Sequence, residues 1–87
     1  NFKMKKLVVS AFVKHGKIRL FLDGEKLEKD IYPLEVVLDN DGHILQWFVE
    51  SWSEGNYTVS ISSPGPSEMH FTKRIGKGSK DWGGVWL

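Results

Sequence analysis

Tyr57-Thr-Val-Ser-Ile-Ser62 alternates large apolar and small polar residues without a break. A helix turns 100° per residue and would scatter these side chains around its circumference. A pleated strand puts Tyr57, Val59 and Ile61 on one face and Thr58, Ser60 and Ser62 on the other. The same two-residue period recurs along the chain. Leu7, Val9, Ala11 and Val13 form one set, and Ile18, Leu20 and Leu22 a second. Leu34, Val36 and Leu38 form a third, and Leu45, Trp47 and Val49 a fourth. Met69, Phe71, Lys73 and Ile75 make a weaker strand, and Trp82–Leu87 reads as a final one. This pattern predicts an all-β domain.

The punctuation agrees. His15-Gly16, Asp23-Gly24, Asp39-Asn-Asp-Gly42, Ser53-Glu-Gly-Asn56, Ser63-Pro-Gly-Pro66 and Gly76-Lys-Gly-Ser-Lys80 are turn or loop signals between the runs. Glu25–Ile31 can form one helical turn, too short to hold alone, and Pro33 ends it. Asp39–Gly42 between Leu34–Leu38 and Ile44–Glu50 predicts a hairpin of those two strands. About seven strands at this spacing predict an antiparallel, immunoglobulin-like β-sandwich, with a small closed β-barrel as the alternative.

The 87 residues form one domain, 1–87. The start at Asn1 and the apolar end at Trp86-Leu87 suggest a piece excised from a longer protein. Met4-Lys-Lys-Leu-Val-Val-Ser-Ala-Phe-Val13 mimics a signal peptide, but its apolar run is short and meets Lys14-His15-Gly16 without a cleavage-type site. It reads better as a strand and is too short to span a bilayer.

Several chemistries lack their residues. The chain has no cysteine, which excludes disulfides and thiolate zinc sites. His15, His43 and His70 match no zinc spacing and read as surface residues. The acidic turn at Asp39–Gly42 has Val37 where a calcium loop begins its ligands. Gly76-Lys77-Gly78-Ser79-Lys80 lacks the P-loop spacing and the helix that must follow it. No serine elbow is present, and Glu50 with Glu54 is a chance candidate for a carboxylate pair. No catalytic residue, metal ligand or cofactor is assigned.

What stands out is aromatic. Aromatic residues make up 13% of the chain, four of them tryptophan, and a ten-kilodalton core needs that bulk. Trp47 alternates with Leu45 and Val49 and belongs inside. Phe12, Phe21, Phe48 and Trp52 fall opposite the cleaner apolar faces. They form either a second small core, covered by a loop or by Trp82 and Trp86, or a contact surface. Phe12, Phe21, Phe48, Trp52, Trp82 and Trp86 are therefore the candidate ligand- or partner-binding residues.

Lys17-Ile-Arg-Leu-Phe-Leu-Asp-Gly-Glu-Lys-Leu27 resembles the opening of PEGA-type and other bacterial immunoglobulin-like modules, in which a strand ends in an Asp-Gly turn. Gly55-Asn-Tyr-Thr-Val-Ser-Ile61 is similar to a stretch near the end of such sandwiches. The resemblance implies a non-catalytic, extracytoplasmic module of a bacterial surface or secreted protein, and it assigns no functional residue. The expected function is therefore an accessory or protein-interaction module. A carbohydrate-binding module, with Trp52, Trp82 and Trp86 stacking on sugar, is the alternative. A nucleic-acid-binding small barrel using Lys73, Arg74, Lys77 and Lys80 comes third, because a formal net charge of +1 gives phosphate little to bind.

Overall fold

The computed structural model describes residues 4–27, 32–39 and 42–87. They form two four-stranded antiparallel sheets packed face to face, a β-sandwich and not a closed barrel. Eight strands are present among these residues: β1 (Lys5–Val13), β2 (Gly16–Leu22), β3 (Glu25–Lys26), β4 (Leu34–Leu38), β5 (Ile44–Ser51), β6 (Gly55–Ser63), β7 (Met69–Ile75) and β8 (Lys80–Trp86). The first sheet has the order β4-β1-β6-β7 and the second β3-β2-β5-β8.

Two expectations need correction. Glu25 and Lys26 pair with β2 as a two-residue strand and not as part of a helical turn. The rest of that segment, 28–31, lies outside the described residues. The expected hairpin of Leu34–Leu38 with Ile44–Glu50 does not form. β4 pairs with β1, while β5 pairs with β2 and β8. The alternation explains why. Leu34 and Leu38 must be buried, and so must Leu45, Trp47 and Val49. Placing the two strands in opposite sheets lets both sets meet across one core. The Asp39–Gly42 turn, of which 40–41 lie outside the described residues, therefore links the sheets.

Every buried set forecast by period two points inward. Leu7 and Val9 of β1 and Tyr57, Val59 and Ile61 of β6 face Leu20 of β2 and Leu45, Trp47 and Val49 of β5. Trp47 is 3% exposed, as its alternation requires. Its ring centroid lies 5.5 Å from that of Phe71 on β7, and Phe71 lies 5.9 Å from Tyr57. Three tilted rings thus join the two sheets near the β7–β8 side, at separations typical of favourable aromatic pairs.

The indole of Trp47 needs room that only one strand residue leaves. Its register partner on β8 is Gly83. A Cβ at Gly83 would lie 2.3 Å from Trp47 Cε2 and Nε1. That is far inside van der Waals contact, and a ring held on all sides has no free direction in which to move. The absence of a side chain at Gly83 therefore lets β8 lie flat on β5.

The same side carries the polar link of the core. Tyr57 is 1% exposed, and its hydroxyl donates to Asp81 Oδ2 at 2.5 Å. Lys73 Nζ lies 3.0 Å from the same carboxylate oxygen. Tyr57 and Lys73 belong to the first sheet and Asp81 to the second, so the network ties the sheets at their open edge. Burial, then the hydrogen bond to Asp81, pushes the Tyr57 pKa up to about 12. The bond from Tyr57, with Lys73 beside it, holds the Asp81 carboxyl below its ordinary value against the cost of its own desolvation. The Trp47 indole N–H is near enough to the Tyr57 hydroxyl to act on it weakly, but it makes no hydrogen bond of ordinary geometry and is buried without a partner.

Gly83→Ala is expected to cost about 1–3 kcal/mol, at the upper end because the obstructing group is a packed indole. Gly84→Ala, where the nearest atoms are Gln46 Cγ and the Leu45 carbonyl oxygen at 3.2 Å, is expected to cost about 1 kcal/mol or less. Urea denaturation of the two variants checks the contrast, and equal losses would remove Gly83 from its role.

Candidate functional site: an aromatic sheet face

The register of the second sheet fixes its outer face. Lys17, Arg19 and Phe21 of β2, Ile44, Gln46, Phe48 and Glu50 of β5, and Lys80, Trp82, Gly84 and Trp86 of β8 all point away from the core. Arg19 pairs with Phe48 and Phe48 with Trp82, so an aromatic row crosses the sheet. Trp82 lies over Phe48 with centroids 4.4 Å apart and planes tilted by 38°. It also reaches Phe21 at 6.0 Å and 36°. Trp86 lies on the same face opposite Ile44, separated from Trp82 by Gly84.

The rim of this patch is polar, with Arg19, Lys17 and Lys80 around Glu50. Arg19 Nη1 donates to Glu50 Oε1 at 3.0 Å, and its guanidinium carbon sits 5.8 Å from the Phe48 ring centroid. The ion pair therefore covers one edge of the patch and fixes the guanidinium near a ring face that attracts it. Gln46 lies between Phe21 and Gly84 in the row below.

The six candidate rings do not form one site. Phe21, Phe48 and Trp82 touch one another, and Trp86 shares their face. Phe12 is on the outer face of the other sheet, opposite Thr58 on β6. Trp52 is in the connection after β5, where its N–H donates to the carbonyl of His15. Phe12, Trp52, Trp82 and Trp86 are 65%, 59%, 62% and 74% exposed, whereas Phe21 and Phe48 are half-buried. Trp82 partly covers the two phenylalanines, as the second-core expectation allowed, but it stays open to solvent itself.

The other candidates have local partners. Glu50 and Glu54 do not face each other as a catalytic pair, since Glu50 binds Arg19 and Glu54 binds Arg74. Lys73 is held by Asp81, so two of the four cations of the nucleic-acid expectation are already paired. The Gly76–Ser79 loop docks on β5, with the Gly78 N–H donating to the Ser51 carbonyl at 2.8 Å. Ser60 Oγ lies 2.7 Å from His70 Nδ1, but the other ring nitrogen of His70 faces Thr72 Oγ1 at 3.4 Å on an exposed strand face. A serine nucleophile needs an acid to orient its histidine and an enclosure for substrate, and this pair has a threonine in the acid's place.

His43 departs from the expectation of an ordinary surface histidine. Its Nδ1 lies 2.6 Å from Asp23 Oδ2 and its Nε2 lies 2.8 Å from Asp39 Oδ1. Asp23 also accepts from the Ile44 N–H at 3.0 Å and has a left-handed φ of +53°. The side chain of His43 is only 13% exposed. It bridges the Asp-Gly turn after β2 and the connection leaving β4. The two ring nitrogens point apart, so the carboxylates cannot converge with the imidazole on one ion. Among the described residues no group of three histidine or carboxylate side chains is placed to hold a metal. Asp39 and His43 are four residues apart, but no sequence pattern marked the bridge, because Asp23 lies twenty residues before His43 and reaches it only through the fold.

No family model, curated protein or solved structure matches the chain.

Hydrogen bonding to Asp23, then to Asp39, raises the His43 pKa, and the bond to His43, with that to Ile44, lowers the Asp23 pKa. A raised histidine pKa stabilises the fold fully below the unfolded value of about 6.5 and loses that effect as pH rises through the folded value. A lowered aspartate pKa acts above about 3.9 and is lost as pH falls through the folded value. The bridge is thus strongest from about pH 4 to about pH 6. The denaturation midpoint of the wild type is expected to fall between about pH 6 and about pH 8, and His43→Asn to flatten that slope. Urea titrations across this range check it, and parallel slopes would assign the change to other groups.

Proposed function

We propose that the domain is a non-catalytic protein-interaction module whose contact surface is the outer face of the β3-β2-β5-β8 sheet. The observation that carries this reading is the Trp82–Phe48–Phe21 cluster. It is a contiguous apolar patch on an outer sheet face, rimmed by Arg19, Glu50 and Gln46, with Trp82 touching both phenylalanines and 62% exposed. Large exposed aromatics within a polar rim are the usual anatomy of a contact surface, and tryptophan and arginine dominate binding energy there. The two-sheet architecture and the Asp23-Gly24 turn are in keeping with an immunoglobulin-like or PEGA-type module of a bacterial surface or secreted protein. An extracytoplasmic location belongs to the same reading.

A glycan ligand is the second reading. Trp82 and Trp86 share one face and are both exposed, and sugar rings stack on such indoles. The 36° and 38° tilts among Phe21, Phe48 and Trp82 favour protein, because a row of sugars needs a common plane. Nucleic acid has the least support. Lys73 and Arg74 are ion-paired, and phosphate would have to displace Asp81 and Glu54.

Two assays separate these. Immobilised wild type is expected to retain a specific protein from its source that Trp82→Ser and Phe48→Ser release, with affinity reduced roughly thirtyfold or more. A glycan array probed with wild type and Trp86→Ala is expected to stay blank. A glycan bound by wild type and lost in Trp86→Ala would replace the protein reading with the carbohydrate one.

A further inference from the structure

β8 is both the edge strand of the second sheet and the strand that carries the two exposed indoles. In an antiparallel ladder, residues alternate between bonding the neighbouring strand and pointing their backbone groups the other way. Which residues do which is fixed at both ends of the β5–β8 pair. The Ser51 N–H donates to the Ser79 carbonyl, and the Leu87 N–H donates to the His43 carbonyl. With the register between them, Asp81, Gly83 and Val85 bond β5, while Trp82, Gly84 and Trp86 turn their backbone groups to the open edge. The Trp82 N–H leans on the Asp81 carboxylate. The Trp82 carbonyl and both backbone groups of Gly84 and Trp86 stay available to another strand.

Edge strands are normally blunted by charge, proline or a bulge. The other edges follow that practice. β3 is two residues long, β4 carries Glu35 paired with Lys6, and β7 carries Lys73 and Arg74. From Trp82 to Leu87, β8 has neither charge nor proline. Its outward residues read Trp82, Gly84, Trp86, which is the same from either end. Strand pairing about a two-fold axis at Gly84 would set glycine against glycine and each tryptophan against a tryptophan. That is the self-complementarity an isologous dimer requires. Lys80 would fall beyond the partner's Trp86, and Lys73 is already neutralised by Asp81 on the adjoining edge. A formal net charge of +1 per copy adds little repulsion.

We infer that the partner of this face is a second copy of the chain, joined edge to edge through antiparallel β8 strands into a continuous eight-stranded sheet. The inference rests on the reading of the aromatic face as a protein-binding surface and names its partner. Each indole of one copy lies beside an indole of the other, and the Phe21–Phe48–Trp82 clusters extend outward on both sides. Such an edge contact belongs to the small class of interfaces, below about 1,200 Å² in total. A dissociation constant between about 1 µM and about 1 mM is expected.

Sedimentation of the wild type over that range is expected to show monomer giving way to dimer. Residue-resolved amide exchange is expected to show the Gly84 and Trp86 amides becoming protected as concentration rises, while those of Gly83 and Val85 are protected throughout. Trp86→Lys changes an outward residue away from the core and is expected to weaken association roughly thirtyfold or more. Phe12→Lys, on the opposite sheet, is expected to leave association unchanged. A wild type that stays monomeric at about 1 mM overturns the inference. So does a dimer that survives Trp86→Lys, or one that Phe12→Lys dissolves equally. A monomer that still retains a protein lost in Trp82→Ser would sink self-pairing alone. A monomer that retains none would sink the protein-binding reading with it.

Discussion

The contact between Trp47 and Gly83 decides the orientation of the last strand. A strand has two faces and only two ways to present them, and a slip of one residue exchanges every side chain. With Gly83 over the indole, Asp81 and Val85 also point inward, and Trp82, Gly84 and Trp86 point out. The opposite parity would drive Trp82 or Gly84 with its neighbours into the core and lift Asp81 away from Tyr57. Gly83 over the indole, with Asp81 on Tyr57 and Val85 inward on either side of it, therefore goes with the packing of the β5–β8 layer and the composition of the outer face.

The bond from Tyr57 to Asp81 reinforces that choice by chemistry. An aspartate at an inward position of an edge strand is costly unless its charge is met. Here a buried hydroxyl and an ammonium from the other sheet both meet it. The arrangement adds a side-chain tie between the sheets at the β7–β8 side, and it places a charge on the first part of β8. His43 does comparable work at one end of the sandwich, where it joins Asp23 of the turn after β2 to Asp39 of the connection leaving β4. The two clusters differ in exposure. Tyr57 is buried beside the Phe71 ring and the Asp81 side chain is 24% exposed, whereas the carboxylates around His43 are about half exposed and screened by water.

Much of the fold was legible because it depends on period two. The inward sets of β1, β2, β4, β5 and β6 could be read directly from alternation, and so could the burial of Trp47. Pairing was less legible. Asp39–Gly42 has the composition of a hairpin turn, yet it joins strands of opposite sheets, since turn chemistry describes a local bend and not the partner each strand finds. β3 is held by the pairing of Lys26 with Phe21 and of Glu25 with Leu22, and by the Leu27 N–H on the Leu20 carbonyl, which two residues of sequence cannot announce. The aromatic site was half legible. Parity placed Phe21 and Phe48 opposite the core faces, but whether Trp82 would meet them depended on the β5–β8 register, which Gly83 sets from the other side of the sheet. Phe12 had the same parity signature and ended on the other sheet, because alternation records which side of a strand a residue occupies and not which sheet that strand joins.

A domain of this size has little core to spare, and that bears on what its outer rings are for. Small chains bury a lower fraction of their surface, so each large apolar side chain left outside is a substantial loss. Three of the four tryptophans are more than half exposed, and only Trp47 lies in the core. An indole removes about 200 Å² from water when fully buried, worth several kcal/mol at about 25 cal/mol per Å². Trp82 gains its contacts with Phe48 and Phe21 yet stays 62% exposed, and Trp86 is 74% exposed, and both side chains point away from Trp47 and from the Tyr57–Asp81 bond. The structure thus leaves most of two indole surfaces in water, beside edge backbone groups that face away from β5. Both features are liabilities for an isolated monomer, and both become contributions once another surface covers β8.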